Sequence, residues 1–349
     1  MLVTEIWPMT VERRAPFVIA EIGSNHNGDM ALCRRLIDAA KAAGADAVKF
    51  QSWSSESLIS KAEYERNATY GDKKRHFGSL RQMVERYQLT PEQQREASDY
   101  CATVGITFLS TGFSPSEVDL LDSLEVPCFK VASMDINHLR LLRHFGSKGK
   151  PVILSTGMAS LGEIERALNT LRESGSGPLA LLHCVSIYPP DYEMLHLRNI
   201  PMLRQVFGVP VGFSDHTIGT AIPLAAIAVG AAIIEKHFTL DKNMDGWDHW
   251  VSATPDELAI IVRDGRNIVT ALGSSERVVS RAEAQKSRKF RRRVLLKRAL
   301  AAGTILTWED LEYKRPGTGI APDEAGYVVG RTLRSDCQED HELEWTDLA

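Results

Sequence analysis

Residues 209–250 read VPVGFSDHTIGTAIPLAAIAVGAAIIEKHFTLDKNMDGWDHW, and this stretch decides the fold. Two short apolar runs, 209–216 and 233–239, are separated by one helix-length apolar segment. The first ends in His216, and the second carries His237 near its end. An acidic cluster, Asp241, Asp245 and Asp248, follows. A strand, a helix and a strand of this spacing form a right-handed unit of a parallel sheet, with both histidines at the same edge.

Working outward, six further runs share this character: FVIAEIG (17–23), AVKFQ (47–51), TFLST (107–111), CFKVAS (128–133), PVILST (151–156) and LALLHC (179–184). Helical patterns stand between them. Asp29 is a candidate N-cap before Leu32, Leu36, Ile37 and Ala40, and Gly44 is placed to end that helix. Similar patterns cover 90–104, 160–174 and 255–272. Eight strands alternating with helices predict a (β/α)₈ TIM barrel over 1–272, class α/β. The connection 52–79 is long, polar and charged, fitting either a lid or a disordered insertion. A polar, basic linker is expected over 273–289, and 290–349 reads as a small module of short strands and turns.

Composition limits the function. The 349 residues are 44% hydrophobic and 25% charged with a formal net charge of −4, an ordinary soluble balance with no global pull toward nucleic acid. The basic run 286–298 has no aromatic platform beside it and reads as a solvated linker and first strand. Five scattered cysteines fit reduced, buried thiols. No stretch has the apolar length of a membrane span or a signal core, so a cytoplasmic protein is expected.

Polar residues gather at the C-terminal ends of the runs: Glu21, Lys49, Gln51, Thr111, Lys130, Ser133, Ser155, His183, His216 and His237. Strands in a barrel do not need charge for packing, and burying an unpaired charge is costly. Side-chain alternation places Lys49 and Gln51 on the face opposite Val48 and Phe50, and sets Lys130 apart from Phe129 and Val131. Two lysines converging with Thr111, Ser133 and Ser155 suit a compact, multiply charged anion. The alternative is that they pair with barrel glutamates such as Glu21 and Glu235. His216 and His237, with no cysteine expected nearby, suit a Mn²⁺ or Mg²⁺ type ion, while Glu21 and Asp248 are available to orient a water.

At this point AEIGSNHNGD (20–29), VKFQ (48–51), FKVASMD (129–135), STGM (155–158), HCVSIYP (183–189), GFSDHTIG (212–219), EKHFTLD (235–241) and KRPGTGI (314–320) together resemble the sialic acid synthase family across nearly the whole chain. The resemblance implies a C-terminal antifreeze-like (SAF) domain and a domain-swapped homodimer. It also implies a transferase that condenses phosphoenolpyruvate with an open-chain N-acylhexosamine such as N-acetylmannosamine. By motif, Lys49, Thr111, Lys130, Ser133, Ser155 and Tyr188 would hold phosphoenolpyruvate, His216 and His237 the metal, and Glu21 would act on the reacting water. Gln51, Asp135 and Asp248 would address sugar hydroxyls, and Arg315 of the partner subunit would reach the acylamino end. Met134, Asp135, Ser186 and Trp247 depart from the family pattern on the sugar side, so a diacetamido sugar of the legionaminic or pseudaminic type stays open. Two other classes are a Schiff-base aldolase using Lys49 or Lys130, and a non-catalytic carbohydrate- or ice-binding module.

Overall fold

The computed structural model describes residues 15–70, 78–315 and 317–349. It divides into two compact units, Met1–Gly273 and Ser274–Ala349. In the first, eight parallel strands close a barrel in sequence order: β1 (Phe17–Gly23), β2 (Ala47–Ser52), β3 (Thr107–Gly112), β4 (Phe129–Val131), β5 (Val152–Ser155), β6 (Leu179–Cys184), β7 (Val211–Asp215) and β8 (Ile233–His237). β1 closes the ring by pairing with β8, and Glu21 stands opposite His237.

Strand alternation divides the core into two shells. The outward set, including Val18, Val48, Phe50, Phe129, Leu154, Leu181 and Phe213, packs against the helices. The inward set is apolar at the bottom, where Phe17, Ile19, Ala47, Leu109, Cys128, Ile153, Ala180, Leu182 and Ile233 fill the barrel. Two residues further along the same inward faces stand Glu21, Lys49, Thr111, Lys130, Ser155, Ser214 and Glu235. The site therefore rests on a packed apolar floor, as in other filled parallel barrels. Gly212 belongs to this interior: a Cβ there would press on Ile233 and Leu182.

The helices begin where their capping residues allow. Asp29 accepts a hydrogen bond from Ala31 N at the start of Met30–Ala42. Thr90, Ser160 and Thr254 each form a capping box before Pro91–Val104, Leu161–Glu173 and Pro255–Leu272. Gly44 follows the first of these helices with φ +87°, a left-handed turn that glycine accepts without penalty.

Three expectations change. Strand β4 is shorter than 128–133, because Ser133 begins a 3₁₀ turn, Ser133–Asp135. The described part of 52–79 is not structureless: it holds the helices Ser55–Leu58 and Lys61–Arg66, capped by Ser54 and Ser60. With Leu80–Tyr87 it builds a satellite core around Trp53, Tyr64, Met83, Val84 and Tyr87. The expected linker 273–289 contains most of a helix, Arg281–Phe290, started by Ser280, whose hydroxyl accepts from Glu283 N.

The second unit has its own core, with Val294, Leu296, Leu306, Val328, Leu333 and Leu343 at its centre. Antiparallel strands β9 (Arg293–Leu296) and β10 (Leu311–Lys314) frame it. The other runs expected as strands, 304–306 and 328–333, contribute isolated bridges, Ile305 to Thr332 and Leu333 to Leu348.

Candidate active site

A cavity of about 650 Å³ opens at the C-terminal end of the barrel. Glu21, Lys49, Gln51, Thr111, Lys130, Ser133, Ser155, Tyr188, His216, His237 and Asp248 all line it. Asp135 and Arg315 do not. Asp135 lies in the turn after β4 with Oδ2 buried and without a hydrogen-bond partner, and burial pushes its carboxyl up to about 6. Arg315 belongs to the second unit, where its guanidinium lies 5.3 Å from the centre of the Phe290 ring.

The two lysines are 3% exposed, and both have partners inside the protein. Lys49 Nζ is 2.8 Å from Glu21 Oε2, 3.8 Å from Glu235 Oε2 and 3.2 Å from Thr111 Oγ1, to which it donates. Lys130 Nζ donates to Ser155 Oγ at 2.7 Å and to Val131 O at 3.0 Å, and stands 3.9 Å from Glu235 Oε2. Both sequence readings of the lysines thus have a geometric basis: they meet in one pocket and they pair with glutamates. Glu235 lies between them, held by Ser214, which donates to its Oε1 at 2.9 Å.

Burial and charge divide these groups electrically. Burial pulls Lys49 down, but the Glu21 and Glu235 carboxylates outweigh it and hold it above the usual lysine range. Burial lowers Lys130, with Glu235 opposing and Lys49 adding to the depression. Glu235 is pushed up by burial yet ends below the normal range, because Lys130 and Lys49 both stabilise its anion. Glu21 is pushed up to about 7 by burial, against the pull of Lys49 and with repulsion from Glu235. One carboxylate is therefore a fixed anion, and the other is poised to exchange a proton near neutrality.

The imidazoles, from the ends of β7 and β8, line the same cavity. His216 and His237 have ring centres 5.5 Å apart, and Tyr188 stacks on His216 at 4.0 Å. Burial lowers His216, with a weaker opposing effect from the Val185 carbonyl. Burial also drives His237 well below its normal value, reinforced by His216. Both rings are thus neutral, as metal ligation requires. His216 Nδ1 sits 2.9 Å from Val185 O, which assigns the hydrogen to Nδ1 and leaves Nε2 as the lone-pair donor. His237 Nδ1 is buried without a hydrogen-bond partner, 3.8 Å from Asp248 Oδ2. Among the described residues no group of three or more His, Cys, Asp or Glu side chains is placed to hold a metal ion. The two neutral imidazoles are the donors that could hold a divalent ion here.

Parity also corrects two sequence readings. His183 is not part of the rim: its side chain alternates outward from β6, and its Nε2 lies 2.6 Å from Leu195 O. Cys184, the next residue, turns inward and lines the cavity, so a cysteine does stand near the histidines. Sequence reasoning also overlooked a buried ion pair, Lys236 with Asp215 at 2.6 Å, on the helix-facing side. It fixes the turn after β7: Thr217 N donates to Asp215 Oδ1, and Lys236 Nζ donates to Thr217 O. Of the cavity's apolar wall, Trp247 stood out in the sequence as a sugar-side departure, whereas Trp53, Leu58, Ile59 and Phe113 were unread. The available signal for that part was a tryptophan, Trp53, placed directly after β2.

Paired lysines, carboxylates and imidazoles at the C-terminal mouth of a closed parallel barrel define the class: a (β/α)₈ barrel carrying its chemistry at the strand ends. The chain belongs to the NeuB family, whose model matches residues 36–277, and a SAF domain matches 291–349. It is 40% identical to an N,N'-diacetyllegionaminic acid synthase of Legionella pneumophila, over 95% of this chain and 94% of that one. It is 35% identical to the human N-acetylneuraminate-9-phosphate synthase, over 93% and 90% respectively. Among solved structures it resembles an N-acetylneuraminic acid synthetase from Leptospira borgpetersenii in complex with citrate, with 36% identity and a TM-score of 0.69. That match covers 78% of this chain and 90% of the other.

Proposed function

We propose that this protein is a nonulosonic acid synthase: it joins phosphoenolpyruvate to an open-chain N-acylhexosamine and releases inorganic phosphate by C–O cleavage. The observation that carries the reading is the pair of buried lysines, Lys49 and Lys130, lining one cavity with two neutral imidazoles. NeuB membership and the named activities of the relatives support it.

Lys49 and Lys130, with Thr111, Ser133 and Ser155, would hold the phosphate and carboxylate of phosphoenolpyruvate. Tyr188, stacked on His216, would close that side. Gln51 and Asp248 would orient the sugar so that C3 of phosphoenolpyruvate meets the aldehyde carbon. A divalent ion, Mn²⁺ or Mg²⁺, held by His216 and His237, would supply Lewis-acid polarisation of the aldehyde oxygen. The new C–C bond leaves positive character at C2, and water adds there. Glu21, near neutrality and protonated when the polyanion binds, can give its proton to the former aldehyde oxygen and then, as a carboxylate, take one from the added water; the C2–O bond to phosphate breaks as the remaining C2 hydroxyl proton leaves with the phosphate. Gln51 donates to Glu21 Oε1 at 2.9 Å and orients the carboxylate for that transfer.

Purified protein with Mn²⁺, phosphoenolpyruvate and a hexosamine panel should release phosphate with at least one N-acylhexosamine. EDTA should abolish the release. The depression of Lys130 by burial favours a second reading, a Schiff-base aldolase, because it makes the neutral, nucleophilic amine easier to reach. Borohydride with substrates would then attach mass to Lys130 or Lys49, and the synthase reading expects none.

A further inference from the structure

The segment between β8 and the helix Pro255–Leu272 carries Asp248 into the cavity, and it is anchored by the loop that follows β1. Phe238 pairs with Ala253, so the segment leaves and rejoins the strand edge immediately after His237. Inside this closed loop, Asn25 Nδ2 donates to Phe238 O and to Ser252 Oγ, both at 2.9 Å and both buried. Ser252 Oγ in turn donates to the backbone carbonyl of Asp248 at 2.6 Å. Asn27 holds the other limb, since its Nδ2 donates to Asp245 O at 2.7 Å. The same Asn27 presents Oδ1 to His249 Nε2 at 3.3 Å, and His249 Nδ1 lies 2.6 Å from Thr239 Oγ1. Gly246 passes so close that a Cβ would press on His249 and Asn27.

We propose that Asn25, acting through Ser252, is a positioning residue for the sugar: it sets the backbone of Asp248 and thereby governs recognition of the aldose, not of phosphoenolpyruvate. The inference rests on the synthase reading for the role of Asp248. Its physical basis is geometric. Asn25 and Ser252 are buried and do not line the cavity, yet they form a two-bond chain to a residue that does. The chain also ties Asp248 to the strand that supplies Glu21, so the sugar-side carboxylate and the proton-exchanging one share a frame. A displacement of about 1 Å at a positioning group suffices to cost on the order of 10²-fold in rate.

Ser252→Ala removes the bridging hydroxyl with minimal change of volume. It should raise the sugar KM roughly tenfold while the phosphoenolpyruvate KM stays within about twofold, and Ser252→Thr should recover most of the loss. Added to Asp248→Ala, Ser252→Ala should cost nothing further, because both act through one side chain. Amide exchange of 245–251 in the full chain should quicken in Ser252→Ala, a readout independent of turnover. Equal rises in both KM values, a further loss in the double variant, or unchanged exchange in the loop would each overturn the proposal. Wild-type protein inactive on every hexosamine would reject the synthase reading instead, and the exchange measurement would still decide the anchoring.

Discussion

Glu21 and Glu235 show how two identical side chains on neighbouring inward positions take different roles. Glu235 lies between two lysines and stays anionic, whereas Glu21 is raised to about 7 by burial and by Glu235. Binding a polyanion beside Glu21 raises it further, so phosphoenolpyruvate binding near pH 7.5 should take up protons. Calorimetry in buffers of different ionisation enthalpy measures this. Glu21→Gln should abolish the uptake, while proton release on binding would contradict the assignment. Lys130→Ala should lower kcat/KM by about 10²–10³, since it removes a charge-assisted donor in a dry site. At this scale the sequence was readable wherever strand parity applied: Lys49, Lys130 and His237 all point as alternation requires. The same rule, applied strictly to β6, excludes His183 and admits Cys184. What parity cannot supply is pairing distance, so the Glu235 bridge between the lysines was visible only as an alternative.

Elements carry the site through bonds that the site itself does not display. The buried Lys236–Asp215 pair holds the turn from which His216 projects. Lys236→Met should destabilise the protein by about 3–5 kcal/mol in denaturant titrations, because it strands a buried carboxylate. Adding Asp215→Asn should restore much of that loss, and an unchanged midpoint in the single variant would refute the claim. Helix starts were legible from Asp29, Thr90, Ser160 and Thr254, each of which caps the helix that follows it. The described part of 52–79 was not, because its helices Ser55–Leu58 and Lys61–Arg66 are too short to show a periodic face. They are ordered by packing with Trp53, Met83 and Tyr87, a tertiary effect that local sequence does not encode.

For the whole molecule, the eightfold alternation of apolar runs and helical patterns makes the closed barrel readable from the sequence alone. The division into two units leaves one question that concerns assembly. The role that the family resemblance implies for Arg315, acting on the sugar of a partner subunit, can be tested by complementation. If the chain pairs as that resemblance implies, chains carrying Arg315→Ala should regain about a quarter of wild-type activity when co-expressed with chains carrying His237→Ala, since a mixed dimer would rebuild one complete site. No recovery would mean that Arg315 does not act across subunits. The central claim is the synthase reaction, and phosphate release tests it most directly. With Mn²⁺, phosphoenolpyruvate and a panel including N-acetylmannosamine and diacetamido hexosamines, the account predicts stoichiometric phosphate and a nine-carbon keto acid from at least one sugar, abolished by EDTA. Absence of phosphate with every sugar, or release unaffected by EDTA and by His216→Ala, would contradict it.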